Sequence, residues 1–182
     1  GIGKEMFLGL TGLYDQVSIN NPNFSSYINR TFNIQHLPEK IMFALATEAV
    51  PVPSSNRLLD HIISEGIKLF LVKEWMPGLP DSIWFECTQN QFNWIKANEL
   101  DIWRFLLSDK LLYKNSSKDI ANLTQPAPHS QGMPPEAPGR AVNYIGYKII
   151  DSYVNKNKIS LQELVNEKNY DLILQNAQYK PR

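Results

Sequence analysis

The chain has 182 residues and a mass of 20.9 kDa, the size of one domain or at most two small ones. Hydrophobic residues make up 43% and charged residues 20%, enough apolar material for a sizeable core and too much for a disordered chain. The 18 basic and 18 acidic side chains cancel, which argues against broad attraction to nucleic acid or anionic lipid, and the lone Cys87 excludes a disulfide framework or thiolate zinc cluster.

The opening stretch Glu5 to Tyr14 is apolar and punctuated by glycine, which predicts a short strand over about 5–11 and a turn near Gly12. Residues 15–33 are polar and without period, a loop or short helix. Pro38 suits a first helical turn. The apolar set Ile41, Met42, Leu45 and Ala49 then predicts a helix over about 38–50, stopped by Pro51 and Pro53. The longest unbroken apolar run, Ile41 to Ala46, falls far short of the roughly 20 residues that span a bilayer.

A second helix is expected over about 56–75, capped by Ser54 or Ser55, with Leu58, Leu59, Ile62, Ile63, Ile67 and Phe70 along one stripe. Residues 76–81 punctuate the chain, and Trp84-Phe-Glu reads as strand-like, with Cys87 a buried small apolar residue. Thr88 and Gln91 form a capping box that opens a helix over about 89–108. Five prolines between Ser116 and Pro138 predict a long surface loop over 116–138. Further helices are predicted over about 139–156 and, opened by the box Ser160 to Glu163, over about 161–177 as one helix or a pair.

The fold class is therefore mainly α with a short N-terminal strand or small sheet, in one domain spanning 1–182. Gly66 and Gly146 interrupt two amphipathic helices. A mid-helix glycine costs about 1 kcal/mol against alanine, so two of them suggest a close crossing of those helices.

Catalytic chemistry has few carriers. The three histidines, His36, His61 and His129, form no His-Glu-x-x-His pair, and no nucleophile elbow or P-loop occurs. His61 and Glu65 stand four apart on a helix, which reads as a solvated pair rather than a zinc site.

Several ordered motifs resemble one family. Phe7-Leu-Gly-Leu-Thr-Gly-Leu-Tyr14, then Leu58-Leu-Asp-His-Ile-Ile-Ser-Glu-Gly66, then Ala97-Asn-Glu99 with Trp103 and Leu111-Leu-Tyr113 follow the pattern of GldB, the gliding-motility lipoproteins of Bacteroidetes. Ala137-Pro-Gly-Arg140 through Ile145-Gly-Tyr147, Ser160-Leu-Gln-Glu-Leu164 and Tyr179-Lys-Pro181 continue it. The resemblance implies a lipoprotein of the cell envelope, on the periplasmic side of a membrane. Its tether would be an N-terminal lipidated cysteine that this chain lacks.

The resemblance also implies a helical layout similar to zincin metallopeptidases, in degenerate form. If Thr47-Glu48-Ala49-Val50-Pro51 stands where their histidine motif does, only Glu48 survives. The vestigial-site candidates are then Glu48, Glu65, Arg140 and Tyr147. Glu65 is expected to be largely buried and hydrogen-bonded by Arg140 or Tyr147, since a buried carboxylate needs a donor. The expected function is non-catalytic binding to an envelope protein, with no cofactor, no metal, no nucleic acid and membrane contact only through the anchor. The alternative is a zincin-type metallopeptidase.

Overall fold

In a computed structural model, residues 25–31, 34–53 and 55–181 are described. The expected strand over 5–11 lies outside them, and among the described residues there is no strand. Helices α1 (Ser26–Asn29), α2 (Leu37–Ala49) and α3 (Leu58–Trp75) come first. They are followed by α4 (Asp81–Trp84), α5 (Gln89–Ala97), α6 (Glu99–Leu107), α7 (Ser117–Thr124), α8 (Ala141–Asn157), α9 (Leu161–Asn166) and α10 (Tyr170–Ala177). No helix among the described residues is long and apolar enough to cross a membrane.

The core is organised around α3. Leu58, Leu59, Ile62, Ile63, Ile67 and Leu71 are almost wholly enclosed, and α8 answers with Ala141, Val142, Ile145, Ile149 and Ile150. A helix buried on so many sides must be covered all round, and α2, α7, α8 and α10 pack on it. The α3–α8 contact is close because both helices are bare where they meet. A Cβ added at Gly66 would stand 2.3 Å from the carbonyl carbon of Gly146, and one at Gly146 would stand 2.0 Å from the carbonyl oxygen of Ile62. The expected crossing is therefore present, with backbone against backbone.

Caps and breaks follow local chemistry. Thr88 and Gln91 open α5, and Ser160 and Glu163 open α9, as reciprocal capping boxes. The start of α3 differs from expectation. Arg57 is its N-cap, its N–H donating to Asp60 Oδ2 at 2.9 Å, while Ser55 donates its hydroxyl to the same carboxylate instead of capping the helix itself. The predicted helix over 89–108 is broken at Asn98. Its side-chain amide donates to the Trp94 carbonyl at 2.8 Å, a side-chain bond that competes with helix continuation.

The stretch 116–138 is not a single loop. All five prolines fall at or after Pro126, and ahead of them Ser116 caps α7, which buries Ile120 and Leu123. The remainder, 125–140, is a strap pinned at its middle. Ser130 is fully buried and donates to the Pro138 carbonyl at 2.6 Å, and a Cβ at Gly139 would stand 2.2 Å from the Ala127 carbonyl oxygen.

The α3–α8 crossing sets the first prediction. Gly146→Ala should destabilise the protein by about 2–3 kcal/mol in urea unfolding, because overpacking against backbone outweighs the gain of about 1 kcal/mol in helix propensity. An unchanged midpoint would mean that the helices separate without cost.

Candidate functional site

The residues singled out in the sequence do not converge. Glu48 is exposed near the end of α2. Glu65 is partly buried but pairs with Lys68 one turn on, at 2.7 Å, and among the described residues neither Arg140 nor Tyr147 donates to it. The expected Glu65 partnership is thus replaced by a local i,i+3 pair, since Lys68 lies on the same helix edge and supplies the donor first. His61 does not join Glu65 either. Its Nε2 lies 2.7 Å from Asn56 Oδ1.

Tyr147 has a different setting. Its ring centroid lies 4.9 Å from that of Trp84 and 6.4 Å from that of Phe70, and the Lys73 ammonium sits over both the Trp84 and Tyr147 rings at 5.1 and 5.2 Å. That is a packed aromatic cluster with a cation on its face. Burial pushes the Tyr147 hydroxyl well above the ordinary tyrosine value, so it keeps its proton.

Arg140, by contrast, belongs to a charged cluster that sequence reading did not assemble. It precedes α8 in a left-handed conformation, φ 57°, and Glu86, just after α4, is left-handed too, φ 51°. Such conformations are disfavoured for residues with a Cβ and persist where their surroundings hold them. Here the two face each other. Arg140 Nη2 lies 2.9 Å from Glu86 Oε2 and donates to the Phe85 carbonyl at 2.8 Å, with the guanidinium over the Phe85 ring. Lys40, from the first turn of α2, bonds Glu86 Oε1, and the Arg30 guanidinium reaches the Glu86 carbonyl at 3.4 Å. The Glu86 and Arg140 side chains are only 15% and 12% exposed, so this is a desolvated pair rather than a surface one.

Three more ionisable groups border it. Glu39, one residue before Lys40, is 2% exposed, and its Oε2 has no hydrogen-bond partner among the described residues. Burial, then the neighbouring Glu86 charge, pushes its pKa up to about 8, so at neutral pH it is chiefly the acid. Glu86 goes the other way. Burial opposes ionisation, but Arg140 and Lys40 together hold its carboxyl below the usual range. Burial also lowers the pKa of His36, and it lifts the Cys87 thiol to about 12.

The cluster stands at the edge of a cavity of about 300 Å³. Its lining includes Pro126, Ala127 and Pro138 of the strap together with Glu86 and Cys87. Nothing in the sequence brought Lys40, Glu86 and Arg140 together. The one available signal was Pro138-Gly-Arg140, where a glycine pressed on the strap precedes an arginine that starts a buried helix. Among the described residues, no group of three or more His, Cys, Asp or Glu side chains converges in a way that would hold a metal ion.

Glu39 makes stability depend on pH. A carboxyl whose folded value, about 8, exceeds its unfolded value of 4.5 gives stability that is fully present below about pH 4.5 and fades as pH rises toward 8. Glu39→Gln should remove that loss. By urea unfolding the variant and the parent should agree near pH 4 and part progressively, the variant leading by more than about 1 kcal/mol at pH 8. A difference that stays constant with pH would show that Glu39 does not titrate across this interval.

No curated protein and no solved structure matches the chain. The family model described as gliding motility protein GldB matches residues 1–181, which is nearly the whole chain and includes the Pro-Gly-Arg turn, the Glu86 turn and both crossing glycines. The chain belongs to the GldB family of gliding-motility lipoproteins.

Proposed function

We propose that this protein is a non-catalytic component of the gliding machinery of Bacteroidetes. It is a lipoprotein held on the periplasmic side of the cell envelope, and it works by binding another envelope protein. The observation that supports a binding role is the state of the ionisable groups in the site. Both Glu86 oxygens are engaged by cations and its pKa is depressed, which suits a fixed charge and not a proton donor. Cys87, with its thiol pushed to about 12, carries no thiolate at neutral pH and is a poor nucleophile. Glu86 and Cys87 are thus each driven toward one protonation state, whereas acid–base catalysis works best with a pKa near the operating pH.

The zincin-type metallopeptidase reading has less support. It needs three protein ligands around an open position, and Glu65 is bound to Lys68 while His61 faces Asn56. The deciding experiment is complementation of a gliding strain that lacks its own copy. The double variant Glu48→Gln/Glu65→Gln should restore spreading to the level of the parent chain and leave the melting temperature within about 2 °C, since Glu48 is exposed and Glu65 loses only a local i,i+3 pair. Loss of spreading with unchanged stability would assign the two carboxylates a chemical role and overturn the proposal.

A further inference from the structure

Among the described residues, the lining of the cavity beside Glu86 holds more cations than carboxylates. Arg30, Lys40 and Arg140 contribute to its lining, and Glu86 is the one carboxylate among the described lining residues. Glu39, next to the cluster, is held in its neutral form and does not offset them. Arg140 is the best-placed donor. Its bonds to Glu86 and to the Phe85 carbonyl both run through Nη2, which leaves the Nε and Nη1 donors unengaged among the described residues. The guanidinium cannot swing away, because it is stacked over Phe85 and its backbone is fixed between Gly139 and the buried start of α8.

A rigid, half-used guanidinium at the edge of a partly desolvated cavity is suited to an oxyanion, which takes two parallel hydrogen bonds from it. Ala127 and Pro138 add apolar surface to the same lining. A volume of about 300 Å³ lies at the small end of ligand pockets, which fits a compact molecule and not a chain segment of several residues.

We propose that this cavity binds a small organic anion, a carboxylate or phosphate head on a short apolar stem, with the head on the Nε and Nη1 donors of Arg140 and the stem against Ala127 and Pro138. The proposal uses the same cluster as the binding role above but does not depend on it. Complementation by the Glu48 and Glu65 variants would come out the same whether or not an anion binds.

The test is titration of the nitrogen-15-labelled full chain with butyrate, butyl phosphate and, as the neutral control, butyramide. At least one of the two anions should shift the amides of Ala127 and Gly139 saturably, with a Kd of about 1 mM or below, and the better of the two names the head group. Butyramide should bind at least about tenfold more weakly. Arg140→Lys keeps the charge on Glu86 but loses the fork, and should weaken the better anion by about tenfold. If neither anion saturates below about 20 mM, or if butyramide shifts the same amides equally well in the parent chain, the cavity is not an anion site. These two readings need no variant, so a misfolded Arg140→Lys protein would not shield the proposal.

Discussion

The approach of two helix backbones at Gly66 and Gly146 is the constraint on which the rest of the structure depends. Helix packing usually sets axes about 8–10 Å apart because side chains fill the space between them. Here a methyl group on either glycine would overlap the other helix's backbone, so α3 and α8 meet with nothing between them. Their flanking Ile62, Ile63, Ile67, Ile145, Ile149 and Ile150 then close around the contact as one buried layer. The β-branched side chains cost helix propensity, but they are stiff, so little rotamer freedom is lost when they pack.

That crossing fixes where α8 begins, and with it the charged site. With α8 seated on α3, Arg140, just ahead of its first residue, reaches the 85–87 turn. The strap is drawn in by Ser130 on the Pro138 carbonyl and by Gly139 against Ala127. The left-handed backbone at Arg140 and at Glu86 is the local cost, and the ion pair between them offsets part of it. Lys40 completes the arrangement from α2, whose position is set in turn by packing on α3.

The helices were legible in the sequence where local signals agreed. Pro38, Pro51 and Pro53 bracket α2, the Thr88 and Ser160 boxes open α5 and α9, and the two glycines announced the crossing. Local signals also misled. Composition averaged over 116–138 hid α7, because the prolines that dominate the window all lie beyond it. Trp84-Phe-Glu reads as strand by residue type, yet Asp81 accepts from the Trp84 indole at 2.9 Å and closes a short helical turn. The site was the least legible part. Glu39 in the first turn of a helix is ordinary chemistry toward the helix dipole, and nothing local tells that α2 turns it inward. Arg140 was marked by sequence, but its partner, 54 positions away at Glu86, is a product of the fold.

The partition of charge within the cluster has a physical logic. Three cations around one carboxylate would repel one another in a medium of low dielectric, so a second ionised acid beside them would be the expected remedy. Glu39 stands in that place and stays protonated instead. Its side chain is buried too deeply for its own solvation to be replaced, and the like-signed Glu86 acts on it more strongly than Lys40 or Arg140 does. Among the described residues the cluster therefore holds more cations than ionised acids at neutral pH, with Arg140 held in place over Phe85 and by a backbone carbonyl that accepts without carrying a full charge. A protein that needed only to be stable would do better with apolar residues at such a position. The retained surplus, on a rigid frame and beside an open cavity, is what a site preorganised for an anion requires, because the reorganisation cost is met during folding and not at binding.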